Sequence, residues 1–188
     1  MPKTYATLVE LFELSTREFA ANDYLGSKKD GHWSWLSYRE VQTLVDQARG
    51  GLTALGVGPG DRVALVSDNR VEWVVIAFAT LTLGASIVPM YEEQLAEEWA
   101  FILADCGAKV VVASRAAIYE KLLEEQKAIP TLQHVLGMEL PASDASSYAG
   151  LLARGKAAPA PARSVEPTDI AGYIYTSGTT GNPKGVKL

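Results

Sequence analysis

Cysteine is almost absent from this chain: Cys106 stands alone among 188 residues, so no intrachain disulfide can form and no cysteine cluster can hold zinc. Such usage predicts a reducing cytoplasm and a packing role for Cys106. Histidine is nearly as scarce. His32 and His134 lie far apart with no carboxylate pattern beside either, which removes histidine-based metal sites and catalytic triads from consideration. Basic charge is not in excess either: 17 Lys and Arg against 22 Asp and Glu leave a formal net charge of −5, with the basic residues scattered. That balance speaks against nucleic acid as a partner and allows at most peripheral membrane contact. No signal peptide is predicted, because Glu10 and Glu13 interrupt the apolar N-terminal segment.

A long uncharged run is present only once, at residues 73–91. Its length approaches that of a membrane-spanning helix. Thr80, Thr82, Gly84, Ser86 and Pro89 divide it into a helical half and a β-like half, so a buried helix followed by a buried strand is predicted instead. With 48% apolar and 21% charged residues, the chain has the composition of a soluble globular protein, with length for one cored domain or one domain plus part of another.

Hydrophobic spacing predicts a first helix over 7–20, with Leu8, Leu11, Phe12, Ser15 and Phe19 on one stripe. An Asp-Gly pair at 30–31 predicts a β-hairpin over 24–36, whose Trp33 and Trp35 read as a strand face covered by the rest of the domain. Ser37 and Glu40 have capping-box spacing at the start of a helix that Gly56 should stop. Strands at 62–66, 85–89, 109–113 and 134–136 then alternate with three helices. Asn69 with Glu72, and Ser114, are the expected caps for two of these. This alternation predicts an α/β fold: a largely parallel sheet flanked by helices and connected by right-handed crossovers. At 155–167 alanine and proline take over. The chain therefore divides into an N-terminal α/β unit at 1–155, an Ala/Pro-rich linker at 156–167, and a strand with its loop at 168–188.

That loop, TSGTTGNPKG at 176–185, holds three glycines, three threonines, a serine and one lysine in ten positions. Small residues let several amide N–H groups converge on one point, and Lys184 adds an ammonium, a combination suited to a polyphosphate. It follows a short apolar run at 171–175 and so should sit at the carboxyl end of a strand, where open α/β sheets bind ligands. A second glycine pattern, GLLARGKA at 150–157, has P-loop spacing. Ala157 replaces the hydroxyl residue that would bind magnesium, and the interior reads as helix. From composition alone, a glycine- and threonine-rich hairpin without a ligand stays open for 176–185.

The run YIYTSGTTGNPKGV at 173–186 closely resembles the phosphate-loop signature of the adenylate-forming enzymes. GVGPGDRVAL at 56–65, SDNRVEW at 67–73 and LTLGASIVPMY at 81–91 look like earlier segments of the same superfamily, in the same order. The resemblance implies that a carboxylate attacks the α-phosphate of ATP to give an acyl-adenylate and pyrophosphate, after which coenzyme A takes the acyl group. It implies that Thr176, Ser177, Gly178, Thr179, Thr180, Gly181 and Lys184 bind the nucleotide, with Lys184 catalytic. Magnesium is expected with ATP, and Thr180 is its one candidate ligand.

The segments HWSWLSYREV and VPMYEEQLAEEW look most like long-chain fatty acyl-CoA synthetases. Medium-chain, aromatic and amino acids stay open as substrates. Members of the superfamily continue for several hundred residues past the loop. The chain therefore reads as an N-terminal fragment, expected to be inactive alone and to self-associate through an uncovered edge. A non-catalytic nucleotide-binding or structural module is the alternative.

Overall fold

Two short strands, RVALV and VVVA, are apolar at every position but one, the pattern of strands buried on both faces. They form the centre of the fold. The structure, a computed structural model, describes residues 4–176 and 183–188. β3 (Arg62–Val66) and β5 (Val110–Ala113) lie side by side between β4 (Ser86–Met90) and β6 (His134–Gly137), giving a parallel sheet of order β4-β3-β5-β6. The expected α/β architecture is what the chain adopts.

Successive residues of β3 feed opposite layers. Val63 and Leu65 pack with Val45, Leu52 and Ile76 from α2 (Tyr38–Ala54) and α3 (Val71–Leu81). Ala64 and Val66 pack with Trp99, Ile102 and Leu122 from α4 (Ala96–Cys106) and α5 (Ala116–Gln126). The uncharged run at 73–91 thus becomes most of α3 followed by β4. No helix among the described residues is long and apolar enough to cross a membrane.

α1 (Leu8–Glu18) forms close to its expected limits, with Thr7 accepting from the Glu10 amide at 3.1 Å. Its buried face differs from the expected one. Val9, Phe12 and Thr16 point inward, whereas Leu8, Leu11 and Phe19 are exposed. The helix docks through a narrow strip at i, i+3 and i+7, led by Phe12 stacked on Phe78 at 4.2 Å between centroids. The hairpin of β1 (Asp23–Lys29) and β2 (His32–Ser37) closes through Asp30 and Gly31, both at positive φ (49° and 81°), as a two-residue primed turn requires. Trp33 and Trp35 are not covered by the described residues. They stay 58% and 52% exposed, stack on each other at 5.6 Å, and Trp35 lies across Gly26, where a Cβ would meet the ring at 2.8 Å.

The capping box at Ser37 and Glu40 is formed, and Gly56 (φ 79°) follows the end of α2. The other two expected caps are not made. Neither α3 nor α5 carries a side-chain cap at its start. Glu72 is held by Arg70 at 3.1 Å and the Ser114 hydroxyl donates to Glu92, because both lie at the crowded carboxyl edge of the sheet, where opposite charges outcompete local caps. The 150–157 pattern lies within α6 (Tyr148–Ala157), which crosses α2 at very close range. A helix there leaves no phosphate-binding turn.

Candidate functional site

β7 (Tyr173–Thr176) and β8 (Lys184–Lys187) pair antiparallel, in a register that sets Tyr175 opposite Gly185 and Thr176 opposite Lys184. Of the residues singled out in the sequence, these two are brought together. Both are exposed, and Lys184 makes no ion pair among the described residues. Ser177, Gly178, Thr179, Thr180 and Gly181 lie outside the described residues.

The base of the hairpin is fixed to the sheet. The Ile87 amide donates to the Ala171 carbonyl at 3.0 Å, the Ser86 hydroxyl to the Ile170 carbonyl at 2.6 Å, and Gly172 bridges Ile87 in the parallel sense. The segment leading into β7 therefore runs parallel to β4 at this point, and the end of β7 then lies beside the last turn of α4. The strand cannot go on pairing with β4 in the same way, because two residues past Ile87 stands Pro89, which has no N–H to donate. Beyond that point Tyr173 and Tyr175 face the layer under α4, and the Tyr175 hydroxyl donates to Asp105 at 2.5 Å. Burial and that carboxylate both push the Tyr175 hydroxyl pKa upward, so it stays a donor.

At the carboxyl edge of the sheet, strand order reverses between β3 and β5, the place where open α/β sheets form a crevice. Here the crevice is closed by its own charges. Glu92 accepts from the Arg115 Nε at 2.7 Å, from the Asp68 amide at 3.0 Å and from Ser114, while Arg115 also approaches Asp68 at 3.7 Å. Arg70 pairs with Glu72 and reaches Glu139 at 3.6 Å. Burial alone would raise the Glu92 carboxyl, but the hydrogen bonds from Ser114, Arg115 and Asp68 outweigh it and hold the pKa below the ordinary 4.5.

A carboxyl depressed in the folded state adds stability above its unfolded pKa and loses it as pH falls through the folded value. Unfolding free energy is thus expected to decline as pH drops below about 4.5. Glu92→Gln should be less stable than the parent at pH 7, and the difference should shrink toward pH 3, as read by urea denaturation across that range. A constant difference at every pH would remove Glu92 from the acid response.

Cys106 takes no part in this edge. Its thiol is pushed up to about 11, chiefly by burial, which suits packing rather than nucleophilic work. Sequence reasoning missed Asp105 and Glu92. One signal for Asp105 was available: an acidic residue in the last turn of a helix opposes the dipole and calls for a reason.

The sequence is similar to the long-chain-fatty-acid–CoA ligase FadD15 of Mycobacterium tuberculosis, 37% identical over 162 residues that make up 85% of this chain and 27% of that protein. It is also similar to the peroxisomal long chain acyl-CoA synthetase 7 of Arabidopsis thaliana, 32% identical over 97% of this chain and 28% of that one. Among solved structures, the anthranilate CoA ligase AuaEII in complex with anthranoyl-AMP superposes with a TM-score of 0.84 at 27% identity, covering 100% of this chain and 35% of that one. A Mycobacterium tuberculosis fatty acyl CoA synthetase does so with a TM-score of 0.77, also at 27% identity, over 97% of this chain and 34% of its own. The chain thus spans 27% of FadD15's length and 28% of the plant enzyme's. A family profile described as AMP-binding enzyme matches residues 15–188, and the chain belongs to that family.

Proposed function

We propose that this chain is the nucleotide-phosphate-binding part of a cytoplasmic, ATP-dependent acid–thiol ligase that activates a long-chain fatty acid. The observation that carries this reading is the register placing Thr176 against Lys184, with the Lys184 ammonium unpaired among the described residues. An anionic ligand there would meet the exposed Lys184 ammonium beside the exposed Thr176 hydroxyl, chemistry that suits a polyphosphate. Similarity to two long-chain acyl-CoA ligases supports the choice of acid.

In this reading Thr176, Ser177, Gly178, Thr179, Thr180 and Gly181 hold the β- and γ-phosphates of ATP. Lys184 offsets the charge that grows on them as pyrophosphate leaves. Bound ATP supplies the electrophilic α-phosphorus for the carboxylate, and CoA supplies the thiol that receives the acyl group. Magnesium would come with the nucleotide, bound chiefly to its phosphate oxygens, with Thr180 as a candidate ligand. This chain spans only 27% and 28% of the two ligases' length, so residues 1–188 alone are expected to be inactive. In isolation they would self-associate through β8, whose Val186 is half-exposed.

The test is pyrophosphate release by the protein that carries this chain together with the rest of the ligase length, given MgATP and a series of acids. Release that depends on oleate and not on anthranilate is expected. Release with anthranilate alone would move the substrate to the aromatic class, and none with any carboxylate would overturn the ligase reading.

A further inference from the structure

Asp105 sits in the last turn of α4 with its carboxylate at the negative end of the helix dipole, an unfavourable place unless something compensates. Arg62 supplies part of the compensation, donating to the carbonyls of Cys106 at 2.6 Å and Gly107 at 2.7 Å. The rest is a contact 70 residues along the chain, the hydrogen bond from the Tyr175 hydroxyl. Tyr175 immediately precedes Thr176. Its ring crosses the hairpin onto β8, where a Cβ on Gly185 would lie 2.8 Å from the ring carbon Cζ, so only glycine leaves the ring its place.

The tether acts past the base of the hairpin, beside the packing of Tyr173 and Tyr175 against the layer under α4. Backbone bonds fix Ala171 and Gly172 to β4 and to Leu188, at the base. Past that base Pro89 ends the ladder, and the two strands run on toward the loop as a ribbon paired only to itself. Among the described residues, the Asp105–Tyr175 bond is the one side-chain hydrogen bond joining that ribbon to the helices.

We propose that Asp105 is a positioning residue for the phosphate loop: through the Tyr175 hydroxyl it fixes the two strand ends from which Thr176 and Lys184 reach a bound polyphosphate. This rests on the function proposed above. Gly185 is the third member of the device, because it makes room for the ring that carries the bond. A ribbon freed from Asp105 pivots about Gly172 and moves Lys184 away from the departing pyrophosphate, while the carboxylate substrate, bound elsewhere, does not sense the change.

The experiment compares Asp105→Ala, Tyr175→Phe, their combination and Asp105→Asn in the complete ligase. Each single loss of the bond is expected to lower kcat/KM for MgATP about tenfold, the scale of a small misplacement of a reacting group, with KM for the acid unchanged. The combined variant should be no worse than either single one, since the two residues act as one unit. Asp105→Asn keeps an acceptor for the Tyr175 hydroxyl and should recover to within about twofold of the parent.

Additive losses, no recovery in Asp105→Asn, or an equal rise in KM for the acid would overturn the positioning role. Amide hydrogen exchange supplies a readout without turnover. Ile174 and Val186 should exchange faster in Tyr175→Phe while Val63 and Val111 in the sheet do not, and unchanged exchange in the hairpin would overturn the tether itself. An inactive parent protein overturns the ligase reading, whereas an active parent with unaffected variants overturns only this inference.

Discussion

Gly155→Ala is expected to cost more than about 3 kcal/mol of folding stability, although alanine is the better helix former by about 1 kcal/mol. The sign is decided by space. A Cβ on Gly155 would lie 1.6 Å from the Gln47 carbonyl oxygen and 2.6 Å from the Gly51 nitrogen, and one on Gly51 would lie 2.3 Å from the Leu151 carbonyl oxygen. These neighbours are backbone, so no rotamer change relieves the clash. The helices α2 and α6 must separate, and separation uncovers Leu151, Leu52 and Val45, all fully buried. Set against a total stability of about 5–15 kcal/mol for a domain, such a loss shifts the unfolding midpoint far toward low urea. Gly58→Ala is the control, with nothing within 4 Å of the added methyl. A Gly155→Ala midpoint matching that control would show that the helices tolerate the wider spacing.

In the complete ligase proposed above, Lys184→Ala is expected to slow adenylation by about 10²- to 10³-fold, the typical effect of removing one preorganised group aimed at charge that develops in the transition state. Its side chain is exposed and without an ion pair among the described residues, so the urea midpoint should hardly move. Lys187→Ala is a useful companion. That lysine lies 6.0 Å over the Tyr173 ring rather than beside Thr176, and its loss should leave the rate within about twofold of the parent. Acid-dependent pyrophosphate release measures all three proteins, and an unchanged rate for Lys184→Ala would remove that residue from the chemistry.

Where local physics decides, the fold was legible in the sequence. Strands β3 and β5 are apolar at nearly every position because both faces are covered, and the alternation with helices gave the parallel sheet. The Asp30–Gly31 turn and the Ser37–Glu40 capping box follow from contacts within a few residues, and both are present. Expectations went astray where tertiary partners choose between local options. α1 buries Val9, Phe12 and Thr16 because Phe78 selects the strip. Ser114 leaves its helix start for Glu92, a charged partner from beyond β4, whereas Glu72 turns to Arg70 only two residues away. The signature at 173–186 was readable as a motif, but its tie to α4 was not, since Asp105 and Tyr175 become neighbours only once the chain has folded.

The fastening of the hairpin to β4 also orders events in folding. Ser86 and Ile170, which join the two at the base, are 84 residues apart in the chain, whereas β1 and β2 meet across a two-residue turn and β3, β4 and β5 are linked through single helices. Contacts of such long sequence separation pay their loop-closure entropy before they gain anything, so they form late. The same segment, held at its base and tethered once beyond it, is then the first to detach in partial opening of the native state. A chain released during synthesis would thus complete its four-stranded sheet and both helical layers before its β7–β8 ribbon docks, which sets assembly of the candidate site as the last step.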